Sequence, residues 1–66
     1  MTSTEFHQDL KQYMLENPWQ RKGQAAFNLM YAFNYKVANE FRGTDIDPFY
    51  HDDRIDEFVK RCLAKT

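Results

Sequence analysis

A chain of 66 residues with a net charge of −1 excludes several classes of protein before any motif is considered. This length is enough for one domain, which we assign to the whole chain. The near-balance of charge provides no field that would attract nucleic acid or an acidic membrane. Because Cys62 is the only cysteine, no disulfide forms within the chain, and a lone thiol is typical of the reducing cytoplasm. No apolar run approaches the ~20 residues that cross a bilayer, so we expect a cytoplasmic protein without a membrane contact.

The first predicted helix runs from about Ser3 to Glu16. Thr2 and Glu5 have the spacing of a capping box, which marks a helix start. Four apolar residues then recur at helical spacing and share one face, which we expect to be buried: Phe6, Leu10, Tyr13 and Met14.

The second predicted helix is the longest and extends from Pro18 to Arg42, with Asn17 as its N-cap and Gly43 as its stop. Its apolar stripe contains Trp19, Gly23, Ala26, Met30, Phe33 and Val37. A glycine inside a helix costs about 1 kcal/mol relative to alanine, so Gly23 predicts the close approach of another backbone or ring. The segment Asn34-Tyr35-Lys36 is the weakest, and the pattern agrees with either a continuous helix or a helix split there.

A loop from Gly43 to Asp52 separates this region from the last helix. Its apolar residues, Ile46, Phe49 and Tyr50, predict a segment that folds onto the helices as a plug. The last helix begins at Asp52 or Asp53, and its apolar residues have the clearest helical spacing in the chain: Ile55, Phe58, Val59, Cys62 and Leu63. The predicted fold is therefore all-α, a small three- to four-helix bundle with one aromatic-rich loop before the last helix.

Metal binding and catalysis have weak support. The spacing of the acidic residues and His51 from Asp45 to Asp56 resembles a calcium loop, but Phe49 and Tyr50 replace a required oxygen ligand and a required glycine. Cys62 could serve as a nucleophile with His51 as its base, yet Cys62 falls on the apolar stripe of the last helix. We therefore expect neither an enzyme nor a bound metal or other cofactor.

Nucleic-acid binding is the alternative function that the residues allow. Trp19, Arg21 and Lys22 place an aromatic ring beside two cations at the expected start of the second helix, and such a combination can hold a single strand. Ten acidic residues offset nine basic ones, which weighs against this alternative.

The surplus of aromatic residues is the strongest functional clue. Six Phe, four Tyr and one Trp are more rings than a core of this size can hold together with its aliphatic residues. Exposed aromatic clusters mark protein interfaces, so we expect the chain to bind another protein. The candidate contact residues are Trp19, Tyr31, Tyr35, Phe49 and Tyr50. The wide apolar surface of the second helix leaves a homodimer as a further alternative.

Several short motifs resemble a group of small helical proteins from bacteriophages and prophages. The motifs are Asn17-Pro18, Arg21-Lys22-Gly23-Gln24 followed by Asn28, Gly43-Thr44, and Asp47-Pro48-Phe49-Tyr50 followed by Asp52-Asp53. The spacing is fairly specific and covers about two thirds of the chain, although His51 stands where an acidic residue is more usual. The resemblance implies a shared fold and a host-directed accessory role, such as inhibition of a host defence or regulatory protein in the host cytoplasm.

Overall fold

The computed structural model describes every residue from Met1 to Thr66 and contains four α-helices and no strand. The helices are α1 (Ser3–Glu16), α2 (Lys22–Phe33), α3 (Tyr35–Glu40) and α4 (Ile55–Ala64), and a short 3₁₀ turn, Asp52–Arg54, leads into α4. This architecture confirms the prediction of a small all-α bundle with one loop before the last helix. Helix α2 is central, because it packs against each of the other three helices. None of the four helices has the length and apolar composition needed to cross a bilayer.

The core is entirely apolar and draws on all four helices. Phe6 and Leu10 of α1 are buried, as the spacing predicted, and the capping box of Thr2 and Glu5 is formed. The α4 stripe is buried from Ile55 to Cys62, with Leu63 at its margin. No polar or charged side chain is buried, so hydrophobic burial supplies the packing energy without buried polar pairs. The buried apolar residues are Phe6, Leu10, Ala25, Ala26, Phe27, Met30, Val37, Ala38, Ile55, Phe58, Val59 and Cys62.

The start of the second helix differs from the prediction. Asn17 does not cap α2 but ends α1, since its backbone N–H and its side-chain Nδ2 both donate to the carbonyl of Tyr13. Gln20 N–H then donates to the Asn17 carbonyl in a turn, and α2 begins only at Lys22. Trp19 therefore lies in the turn, 74% exposed, and is not part of a buried stripe. The prediction was wrong because the amide of asparagine suits a helix end as well as a helix start.

Asn34 splits the predicted long helix into α2 and α3. Its backbone is extended (φ −155°, ψ 93°), while its N–H still donates to the Met30 carbonyl. Its side-chain oxygen accepts from the N–H of Val37, so the same residue closes α2 and caps α3. Val37 stays buried beyond the break, but Phe33 is turned outward and half-exposed, contrary to its place in the predicted stripe.

The loop between α3 and α4 packs against the start of α2. Pro48 is fully buried, and a Cβ added at Gly23 would overlap the Pro48 carbonyl oxygen. The predicted close approach at Gly23 is thus confirmed. Gly43 has φ +76°, a left-handed conformation that favours glycine just beyond a helix end. The plug prediction holds in part for Phe49, which is partly buried against the core, while Ile46 is partly buried but not packed against it. The prediction is wrong for Tyr50, which remains 73% exposed.

Candidate functional site

Five aromatic rings form a continuous line along one side of the molecule, which we call the aromatic strip. In spatial order the strip contains Tyr35, Tyr31, Phe27, Phe49 and Tyr50. The four successive ring-centroid distances are 6.2, 6.4, 5.9 and 4.9 Å. The structure therefore links four of the five predicted contact residues by ring contacts, through the buried ring of Phe27, which was not among them.

Phe27 is the buried ring at the centre of the strip. Its ring stacks on Phe58 of α4 with centroids 5.6 Å apart and an interplanar angle of 25°. Tyr31 and Tyr35 follow it at intervals of four residues, which bring side chains to the same face across successive turns. This spacing was the available signal for Phe27, and it survives the break at Asn34. The strip thus rests on the core at one ring and presents the outer rings to solvent.

Two aspartates hold the loop that carries Phe49 and Tyr50. The carboxylate of Asp47 accepts from the N–H of Gly43 at 2.6 Å and from the N–H of Phe49 at 2.9 Å. The Asp52 carboxylate accepts from the N–H of Gly23 at 2.9 Å, which ties the far end of the loop to α2. These charge-assisted hydrogen bonds fix the loop at both ends and in its middle.

An open cleft of about 300 Å³ lies beside the strip, and we call it the aromatic cleft. Arg42 forms its basic side, with the guanidinium carbon 5.6 Å from the centroid of the Phe27 ring. Sequence reasoning did not place Arg42 here, since its position depends on how the loop packs against α2. The lining residues are Phe27, Arg42, Gly43, Asp47, Phe49 and Tyr50.

Trp19, Arg21 and Lys22 stay apart from the strip. All three are exposed in the α1–α2 turn or at its junction with α2. Trp19 makes no ring contact with another aromatic residue, and neither cation has a carboxylate within 4.0 Å. The fifth predicted contact residue is therefore not part of the strip.

Among the acidic residues of the loop, Asp47 and Asp52 act as hydrogen-bond acceptors, and the group does not converge on a metal site. No group of three or more His, Cys, Asp or Glu side chains is placed to hold a metal ion. Cys62 is buried, and burial raises the pKa of its thiol to about 12. Its sulfur faces the Val37 carbonyl at 4.0 Å, so it is not paired with His51 as a nucleophile would be with its base.

Comparison of the chain with models of protein families, with curated proteins and with solved structures gave no match.

Proposed function

We propose that this chain is a small non-enzymatic protein that binds another protein through the aromatic strip. The observation that carries the proposal is the continuity of the five rings, of which Tyr31, Tyr35 and Tyr50 are 44%, 55% and 73% exposed. Tyrosine gives a large contact area with few rotatable bonds, and clusters of such residues supply most of the energy at protein interfaces. The strip is supported from below by Phe27 and from one end by the fixed loop, so its rings are already placed for contact.

The resemblance to small bacteriophage proteins suggests the class of partner. A protein of this size acts most directly by covering a surface of something larger. We therefore propose that the partner is a host defence or regulatory protein, and that binding inhibits it in the host cytoplasm.

Capture from host lysate with matched variants tests the proposal. Tyr35→Ala with Tyr50→Ala removes two exposed rings, and Leu15→Ala removes an equally exposed apolar side chain on α1, outside the strip. Each lost contact ring at the centre of an interface costs about 2 kcal/mol or more, roughly a thirtyfold loss of affinity. We expect the double variant to lose the captured protein and Leu15→Ala to retain it.

The proposal is abandoned if no protein is captured, or if the purified partner binds the double variant as tightly as the unmodified chain. Titration calorimetry with the captured protein measures this difference directly. Light scattering over a range of concentrations tests the alternative in which the partner is a second copy of the chain. A monomer throughout that range rules out the homodimer.

Trp19, Arg21 and Lys22 support nucleic-acid binding as a second candidate function. The observation in its favour is that all three side chains are exposed and that both cations lack a carboxylate partner. Binding of a single-stranded oligonucleotide would weaken steeply as salt is raised, because phosphate contacts release counterions. Absence of any gel shift at low salt would exclude nucleic-acid binding as the function.

A further inference from the structure

The aromatic cleft continues into a second cleft of about 210 Å³. Both clefts are lined by Gly43, Asp47 and Tyr50, so they adjoin as two parts of one groove. Arg42 lines the first part and Arg54 lines the second. The groove therefore has aromatic rings along its course and an arginine in each half.

Neither arginine has an acidic partner within the chain. The ion pairs of the structure involve other groups: His7 with Asp56, Arg61 with Glu57, and Lys65 with Glu40. Arg54 is half-buried and its side chain donates no hydrogen bond, while the Arg42 side chain donates a single long bond of 3.5 Å to Asn39 Oδ1. A guanidinium has five N–H donors in a planar fork that matches a carboxylate, so both residues keep most of their donors free.

Asp47 lies in the groove but is not paired with either arginine. Its two carboxylate oxygens accept the backbone N–H groups of Gly43 and Phe49, and it forms no ion pair with Arg42 or Arg54. The carboxylate is thus used to hold the loop, and the guanidinium groups remain available to a ligand.

We propose that the groove takes an acidic peptide segment of the partner. An apolar side chain of the peptide packs against Phe49 and Tyr50, and neighbouring carboxylates bind Arg42 and Arg54. This inference rests on the proposed function, since it uses one end of the aromatic strip as the binding site for the peptide. The inference specifies the chemistry of the partner segment, which the aromatic strip alone does not indicate.

The charges around the groove favour a peptide over a nucleic acid strand. Exposed Asp45 and Asp53 fall in the chain among the groove-lining residues, Asp45 between Thr44 and Asp47 and Asp53 just before Arg54. A polyanion with a phosphate at every nucleotide would bring a run of negative charges close to these carboxylates and to Asp47, and like charges repel. A peptide that carries only one or two carboxylates, placed at the arginines, meets less of this repulsion.

Selection from a library of random displayed peptides tests the inference with the full chain as bait. We expect the enriched peptides to share acidic residues next to a large apolar or aromatic residue. Synthetic copies are then measured by fluorescence anisotropy against two double variants that each remove two positive charges. Arg42→Gln with Arg54→Gln removes the groove cations, and Lys11→Gln with Lys60→Gln removes exposed cations elsewhere.

Loss of the two groove arginines is expected to weaken peptide binding by roughly tenfold or more, because charge-assisted hydrogen bonds are removed. The lysine control is expected to bind within about twofold of the unmodified chain, as screened surface charges contribute little. Thermal denaturation of each variant verifies that the fold is retained.

Three results overturn the inference. The first is that no peptide is enriched, or that the enriched peptides lack acidic residues. The second is that both double variants weaken binding equally. The third is that a single-stranded oligonucleotide displaces the peptides and depends on the same arginines, which would assign the groove to nucleic acid. A failed selection leaves the proposed function standing, because the capture assay uses no peptide and depends on Tyr35 and Tyr50.

Discussion

Replacing Gly23 with alanine should destabilise this protein, although helix propensity alone predicts the opposite. Gly23 lies in the first turn of α2 and is buried against the loop. An added Cβ would overlap the carbonyl oxygen of Pro48 and would lie 2.9 Å from Asp52 Oδ1. Both neighbours belong to the loop segment leading into α4, so either that segment or the start of α2 must move.

The magnitude follows from three opposing effects. Alanine gains about 1 kcal/mol over glycine in a helix. Overpacking against a fixed backbone costs up to about 3 kcal/mol, and the hydrogen bond from the Gly23 N–H to Asp52 contributes about 1 kcal/mol that the displacement would forfeit. We expect a net loss of about 3 kcal/mol. A chain of this size is stable by roughly 3–10 kcal/mol in total, so the loss is a large part of it.

Urea denaturation followed by circular dichroism measures this change, and the melting temperature should fall by roughly 12–24 °C. Ala32→Gly, at an exposed position of the same helix, isolates helix propensity and should lower stability by about 1 kcal/mol. Asp52→Ala isolates the hydrogen bond. A Gly23→Ala protein as stable as the unmodified chain, or more stable, would refute the close contact between Gly23 and Pro48.

Four further predictions concern the helix caps and the buried thiol. Asn34→Ala removes the cap on the Val37 N–H and should lower the free energy of unfolding by about 1 kcal/mol in the same urea assay; an unchanged midpoint contradicts it. Burial raises the pKa of Cys62 to about 12 from an ordinary 9.0, so stability should hold below pH 9 and fall as the pH rises above it, because only the unfolded thiol loses its proton there. A thiol reagent should label Cys62 at the rate of unfolding, and rapid labelling of the native protein would count against its burial. The hydrogen bond donated by the Thr2 backbone N–H, and after it the Thr2 side chain, hold the pKa of Glu5 below its usual value. Thr2→Ala removes only the side-chain part, so NMR titration should show that pKa rising part of the way to its usual value.

The parts of the fold that local chemistry determines were predictable from the sequence. The capping box at Thr2 and the buried stripe of α4 depend on spacing within one helix, and both are present. Gly23 was informative for a related reason, since glycine inside a helix is unfavourable unless something lies close to it. The start of α2 was not predictable in this way. Asn17 is followed by proline and fits a helix start, and only the structure shows its amide bound to the Tyr13 carbonyl.

The candidate site was predictable in its rings but not in its charges. Counting aromatic residues against the available core singled out Trp19, Tyr31, Tyr35, Phe49 and Tyr50; the strip contains the last four but not Trp19. Arg42 and Arg54 are separated by the whole loop, and nothing in their spacing indicates that they line adjoining clefts. The two arginines are placed there because Pro48 packs against α2. This is a tertiary contact, and no local pattern in the sequence indicates it.

The hydrogen bonds by which Asp47 and Asp52 hold the loop have a consequence for the thermodynamics of partner binding. A recognition segment that is ordered only in its complex loses conformational entropy at the moment of association, which reduces affinity. Here the backbone around Phe49 loses that freedom during folding, because its amide is already bonded to Asp47 and the loop end is bonded to Gly23. Association at this surface should therefore resemble the docking of two rigid bodies, with little entropy of ordering to offset the contacts that are formed.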